Sequence, residues 1–466
     1  MDRLYLSPKA FNLYAVNSSA LDNLASTLLA STAKGPDTKA TPPVPESIAD
    51  TGVSSALVEQ IVLKILYFRG EMVGKDLAEA LGVKYSVIEA LMDGLKWQHL
   101  VAVKKSLGMG SASAIFQLSE TGRNAAREYL NTNQYAGVIP VPLHQYTEMV
   151  KRQKQAPNWI TMEKLRRAYQ HMVVTADVLG KIGPAVNSGK SFLLYGQPGN
   201  GKTALAEALG TMNKETVYVP YAIECQGNII QMYDPIYHHP EKKPDTESIF
   251  VSQDAKFDQR WFSAPRPFIT SGGELTLDML DLSFNESSKI YEAPFQLKAN
   301  NGIYLIDDFG RQRATPAEVL NRWIVPMERQ VDFLSFRTGG KMLIPFEAFL
   351  IFSTNLRPEN LGDEAFLRRI QYKMLVKSPD TEEFRDIFVR FCQTKRLAYD
   401  SSVIDYLIDE HYRPAGKPFR RCQPRDIISH AIDLINFENR EWKLTRDILE
   451  ESFYSCFVKD SEFDQM

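Results

Sequence analysis

The chain has 466 residues, 44% of them hydrophobic and 24% charged, with a formal net charge of -3. That length divides into about three domains with their own cores, and the charge balance excludes a global attraction to nucleic acid or acidic membranes. Cys225, Cys392, Cys422 and Cys456 lie far apart, which excludes a disulfide framework and a CxxC-type zinc site.

No basic segment followed by an apolar core opens the sequence, and no apolar run reaches the roughly 18 residues a membrane span needs. The expectation is a cytoplasmic protein without membrane insertion. Residues 1–50 read as a flexible N-terminal segment, of which about 18–50, rich in Ser, Thr, Ala and Pro and poor in aromatics, is a tether. From Ser54 the pattern changes. Leu57, Ile61, Leu63, Ile65 and Leu66 suit an amphipathic helix ending near Gly70, and helices over 74–81 and 85–99 follow. Two strand-like runs, 100–104 and 114–118, flank a turn-rich Gly/Ser segment. Three helices and a hairpin predict a winged helix over 51–135. The segment Leu118-Ser-Glu-Thr-Gly-Arg-Asn-Ala-Ala-Arg127 resembles the junction of wing and final helix in winged-helix regulators. Lys84, Lys96, Lys104 and Lys105 give it some positive charge, but Glu89 and Asp93 share the second of those helices, so protein docking is favoured over duplex DNA.

Residues 136–154, with Pro140 and Pro142, read as a linker that passes into helical segments over 143–154 and 161–179. Then comes Gly196-Gln-Pro198-Gly199-Asn200-Gly201-Lys202-Thr203, between the apolar run Ser191–Tyr195 and a helix opening at Ala204. Such a glycine-rich turn from strand to helix wraps backbone amides around phosphates, and the helix N-terminus adds favourable partial charge. Lys202 is placed to reach the β/γ-phosphates, and the Thr203 hydroxyl to reach Mg²⁺. ATP and Mg²⁺ are the implied ligands.

Gly302-Ile-Tyr-Leu-Ile-Asp307-Asp308 is a buried-strand pattern ending in two acids, with Asp307 suited to Mg²⁺ and Asp308 to the attacking water. A further strand, 346–353, leads to Asn355, which could hold that water or simply cap a turn. Arg368 and Arg369 close a helix; they either complement its dipole or reach a neighbouring subunit's phosphates. Arg311 and Arg313, just past the acids, are interface or solvated-loop residues. Adjacent His238 and His239 near Asp234 and Asp245 raise a metal site only weakly, because neighbours on an extended chain point to opposite sides. The stretch 258–268, aromatic and basic, either packs on the core or faces a pore, with packing favoured. Beyond Pro379 the sequence is helical through to about Val458.

Together these residues resemble the AAA+ ATPases. The resemblance implies an α/β P-loop core over 155–376, a parallel sheet between helices, carrying an insertion at about 222–300, and a helical lid over 377–466. It makes Asn355 the first sensor and Arg369 the arginine that reaches the adjoining protomer, with Arg368 as second choice. Arg425 in Gln423-Pro-Arg-Asp426 becomes the second sensor, unless it is a plain salt-bridge residue at a helix start. The whole chain is similar to a bacterial group of AAA+ proteins with an N-terminal winged helix. The implied activity is ATP hydrolysis in a homo-oligomeric ring, a hexamer being one such size, that remodels a protein client; the alternative is a DNA-associated assembly switch. Asp308 stands where most of that superfamily has Glu, one methylene longer, so slow hydrolysis is expected.

Overall fold

The structure, a computed structural model, describes residues 41–156, 158–212, 215–241, 256–362, 364–414 and 416–457. Most of the flexible segment expected over 1–50 lies outside these residues, as does Asp245. Its end is structured: Ser47 and Asp50 form a capping box on the helix Ile48–Thr51, and the Pro42 carbonyl accepts from the Asp258 amide.

The core is a parallel sheet. We label its strands β1 (Phe192–Tyr195), β2 (Phe268–Ser271), β3 (Ile303–Ile306), β4 (Phe349–Thr354) and β5 (Tyr372–Leu375). Their order across the sheet is β2-β3-β4-β1-β5, all neighbours parallel. Successive side chains on a strand face opposite sides. Leu193, Tyr304, Ile306, Leu350 and Phe352 therefore pack with Val319, Leu320 and Trp323 on one face. Phe192, Leu194, Leu305, Ile351 and Met374 pack with Ile182, Ala185, Leu205 and Leu209 on the other. Both faces are covered, so every residue of β4 is buried.

The structure departs from three sequence expectations. Residues 136–154 are not a linker: Val141–Pro142 pairs in parallel with Ala222–Cys225 inside a second five-stranded sheet, and the helix Leu143–Arg152 buries Tyr146, Met149 and Val150. The proline that suggests a linker sits at the end of a very short edge strand, where its missing amide costs little. The insertion at about 222–300 also contains β2, a core strand that does not stand out in sequence because Phe268–Ser271 is only four residues long and polar in its second half. Thr216–Pro220 and Trp261–Pro265 pair antiparallel just before β2. The helix expected over 161–179 is two, Met162–Ala168 and Ala176–Asn187.

The N-terminal module has helices Ser55–Arg69, Gly74–Leu81, Tyr85–Trp97 and Glu120–Thr132 around one apolar core. Its antiparallel sheet has three strands, with Glu71–Val73 beside Ala114–Leu118 and then Val101–Ser106. It joins the rest through buried polar contacts. Arg260 and Asp258, each side chain 2% exposed, form an ion pair, and Arg260 also donates to the Thr51 carbonyl and to Gln145 Oε1. The aromatic-basic stretch 258–268 is thus packed inside. The C-terminal helices Thr381–Lys395, Ser401–Tyr406 continuing to Tyr412, Gln423–Glu438 and Arg446–Cys456 enclose their own core around Phe384, Phe388, Ile428 and Phe453.

Candidate nucleotide site

Because β1 lies between β4 and the edge strand β5, the glycine-rich loop leaves the sheet one strand in from that edge, at the carboxyl end where parallel strands present loops to ligands. Gly196, Gly199 and Gly201 have φ of 145°, 76° and 81°, and Gly196 N donates to the Thr354 carbonyl at 3.3 Å. The helix Lys202–Gly210 follows at once, and its first amides have no partners within the helix. Ala204 is half-buried in its first turn, while Pro198 is exposed at the loop's tip.

Three strand ends meet at this loop. The Lys202 ammonium, nearly buried, donates to Gly196 O and Gln197 O, both at 3.1 Å, and to Asn355 Oδ1 beyond β4 at 2.6 Å. Asn355 Nδ2 in turn donates to Asp308 Oδ1 at 3.0 Å. Thr203 Oγ1 donates to Asp307 Oδ2, at the end of β3, at 2.7 Å. Burial lowers the Lys202 pKa, Asp307 and Asp308 oppose that, and Arg420 adds to it. Lys202, Thr203, Asp307, Asp308 and Asn355 are therefore one connected group.

The residues fit a magnesium-bound triphosphate. A hydroxyl and a carboxylate in contact are the hard oxygen donors Mg²⁺ takes alongside phosphate oxygens and water. Among the described residues no group of three His, Cys, Asp or Glu could hold a metal by itself. His238 is not a ligand: buried, its Nδ1 accepts from the Asp234 amide at 3.1 Å and its Nε2 lies 3.2 Å from the Lys298 carbonyl, to which it donates.

The lid touches the same loop. Cys422 N donates to the Gly199 carbonyl at 2.9 Å, and a Cβ on Gly199 would lie 2.6 Å from Cys422 Sγ. Asn200, 1% exposed, donates to Ser378 Oγ at 3.3 Å, which also accepts from Arg420 Nη1 at 2.6 Å. Asn200 Oδ1 is buried without a partner. Ser378, Arg420 and Cys422 were missed by sequence reasoning; the signal for them is the Pro424 that opens a lid helix, since residues just before a helix start can be aimed into a site.

Three expected residues are not in the group. Arg425, 63% exposed, pairs with its neighbour Asp426. Arg369, 23% exposed, donates from Nε to Glu328 at 2.7 Å, while Arg368 is exposed at the end of its helix. Arg311 and Arg313 are exposed as well.

Residues 380–454 match the model of a domain of unknown function, DUF8689. None of the curated proteins matches the sequence. Among solved structures, the RuvB Holliday junction branch migration motor of Thermotoga maritima is 13% identical, with 67% of this chain and 77% of that one covered at a TM-score of 0.34. NtrX from Brucella abortus is 12% identical, with 70% and 59% covered at 0.36. Domain III of the Thermotoga maritima replication initiation protein DnaA is 11% identical, with 63% and 98% covered at 0.34. In this chain itself the strand order, with the phosphate-loop strand between β4 and β5 and a helical lid reaching back onto the loop, is that of the AAA+ fold.

Proposed function

We propose that the chain binds Mg²⁺-ATP at this loop and hydrolyses it, as one protomer of a homo-oligomeric ring that remodels a protein client. The observation that carries the reading is the continuous contact from Lys202 through Asn355 to Asp308, beside the Thr203–Asp307 pair. ATP supplies the phosphoanhydride bond, and Mg²⁺ supplies charge that water attack requires. Lys202 binds β/γ-phosphate oxygens, giving up its bonds to the loop carbonyls and Asn355. Thr203 and Asp307, in contact through Thr203 Oγ1 and Asp307 Oδ2, would hold the cation. Asn355 orients the water, and Asp308 Oδ2, the oxygen Asn355 does not engage, takes its proton.

The lid arginine best supported as a phosphate reader is Arg420, since its charge acts on Lys202 and it shares Ser378 with Asn200. Arg425, the residue singled out by sequence, has Asp426 as its partner instead. Of the paired arginines, Arg368 is the one with an exposed side chain for a neighbouring protomer, whereas Arg369 is engaged by Glu328.

A protein client is favoured over DNA by the helix Tyr85–Trp97. Its exposed residues include Glu89, Asp93 and Trp97, and Lys96 is neutralised by Asp93. On the adjoining strand Lys104 pairs with Glu71. The exposed carboxylates of Glu89 and Asp93 repel phosphates. Phosphate release by the wild type, its loss in Lys202→Ala, and a stalled, ATP-retaining Asp308→Asn variant test the reading. Equal release by wild type and Lys202→Ala refutes it, and a salt-sensitive duplex shift through residues 51–135 favours the DNA alternative.

A further inference from the structure

Asp308 is a short acid on an unusual backbone. Its φ is +49°, the left-handed region that non-glycine residues seldom adopt. Such a conformation persists where the surroundings over-determine it, and here they do. Phe309, fully buried, donates its amide to the Ser353 carbonyl at 2.7 Å and accepts from Thr354 Oγ1 at 2.6 Å. Gly310 has φ +102° and packs so closely on Leu356 that a Cβ would lie 2.6 Å from Leu356 Cδ1. The remaining bolt is a side chain. Gln312 Nε2 donates to the Asp307 carbonyl at 2.8 Å, and Gln312 Oε1 accepts from the Gly310 amide at 2.7 Å. Both ends of one amide thus close the turn on either side of Asp308. The Asp308 carbonyl accepts from the Arg311 amide at 3.0 Å, tightening the same turn.

We infer that Gln312 is a positioning residue for Asp308: by clamping the turn it holds the backbone in the left-handed conformation that brings a short carboxylate to Asn355. The inference rests on the hydrolytic reading of the site. It changes the expectation drawn from side-chain length alone. The missing methylene is made up by the turn, since Asp308 Oδ1 already reaches Asn355 Nδ2 at 3.0 Å. A glutamate on this backbone would overshoot.

Two measurements on the full chain test this. In steady-state phosphate release and fluorescent-ATP binding, Gln312→Leu, which keeps the bulk and loses both bonds, lowers kcat roughly tenfold while the ATP Kd changes less than about threefold. Asp308→Glu also lowers kcat. A Gln312→Leu turnover within twofold of wild type, or a faster Asp308→Glu, overturns the inference. The second measurement is thermal unfolding and needs no hydrolysis. Asp308→Gly unfolds a few degrees above Asp308→Ala, because both lose the carboxylate and only glycine relieves the positive φ; that gap shrinks when Gln312→Leu is added, as the turn relaxes. An unchanged gap overturns the clamp, whereas a wild type that binds ATP without turning it over overturns the hydrolytic reading instead.

Discussion

Replacing Arg260 by leucine leaves Asp258 buried without a counter-charge. Asp258 accepts from Arg260 Nε at 2.9 and 3.1 Å and from Nη2 at 2.7 Å, and both side chains are 2% exposed. Breaking one half of such a pair costs about 3–5 kcal/mol. The Thr51 carbonyl loses the Nη1 donor at 2.7 Å, and a buried acceptor without a partner costs roughly 1–3 kcal/mol. Against a typical domain stability of about 5–15 kcal/mol, this is a large fraction. The charge accounts for most of it. Arg260→Leu/Asp258→Leu, which removes both partners, should therefore recover more than half of the loss. Urea unfolding followed by tryptophan fluorescence, with limited proteolysis near Thr51 and Gln145, reads both effects. A single variant that loses less than about 1 kcal/mol, or a double variant as unstable as the single, refutes the reading of a buried Asp258–Arg260 pair that anchors the Arg260 bond to Thr51.

Gly199→Ala forces a side chain onto a φ of +76° and toward Cys422 Sγ, so ATP affinity falls roughly tenfold or more in a fluorescent-nucleotide titration; unchanged affinity denies the contact of lid and loop a role. Arg368→Ala lowers turnover by about 10³-fold with binding kept, whereas Arg369→Ala costs at most about 1 kcal/mol of stability because its half-exposed Glu328 partner is screened; the reverse pattern restores Arg369 as the residue acting on a neighbour. His238 titrates below its ordinary value of 6.5 because burial disfavours the imidazolium. The unfolded chain then binds more protons than the folded one below pH 6.5, so His238 weakens stability as pH falls through that value and has no effect above it. A His238→Gln variant shows a shallower loss of stability with acid, and an identical pH profile contradicts the lowering of the His238 pKa by burial.

The phosphate loop, the acid pair and Asn355 were legible in the sequence because each is tied to a local pattern: an apolar run whose polar end must lie at the sheet's carboxyl edge. The lid helices were legible for the same reason, with apolar residues such as Phe384 and Phe388 recurring at helical spacing. What was not legible depends on partners distant in the chain. Val141 is a strand residue only because Ile223 lies beside it. Arg425 opens a helix just as a phosphate-reading arginine would, yet the side chain near Lys202 is Arg420, five positions earlier, and only the packing of Cys422 on Gly199 decides between them. Gln312 carries no sequence signal, since its role exists only in the turn it closes.

Every role assigned to the site requires Mg²⁺-ATP to occupy the loop at Lys202 and Thr203. Isothermal titration of ATP into the full chain, with and without Mg²⁺, should give saturable binding in the wild type and none in Lys202→Ala, and Thr203→Ala should lose the gain that Mg²⁺ confers. Lys202→Ala binding ATP as tightly as the wild type would contradict that occupancy.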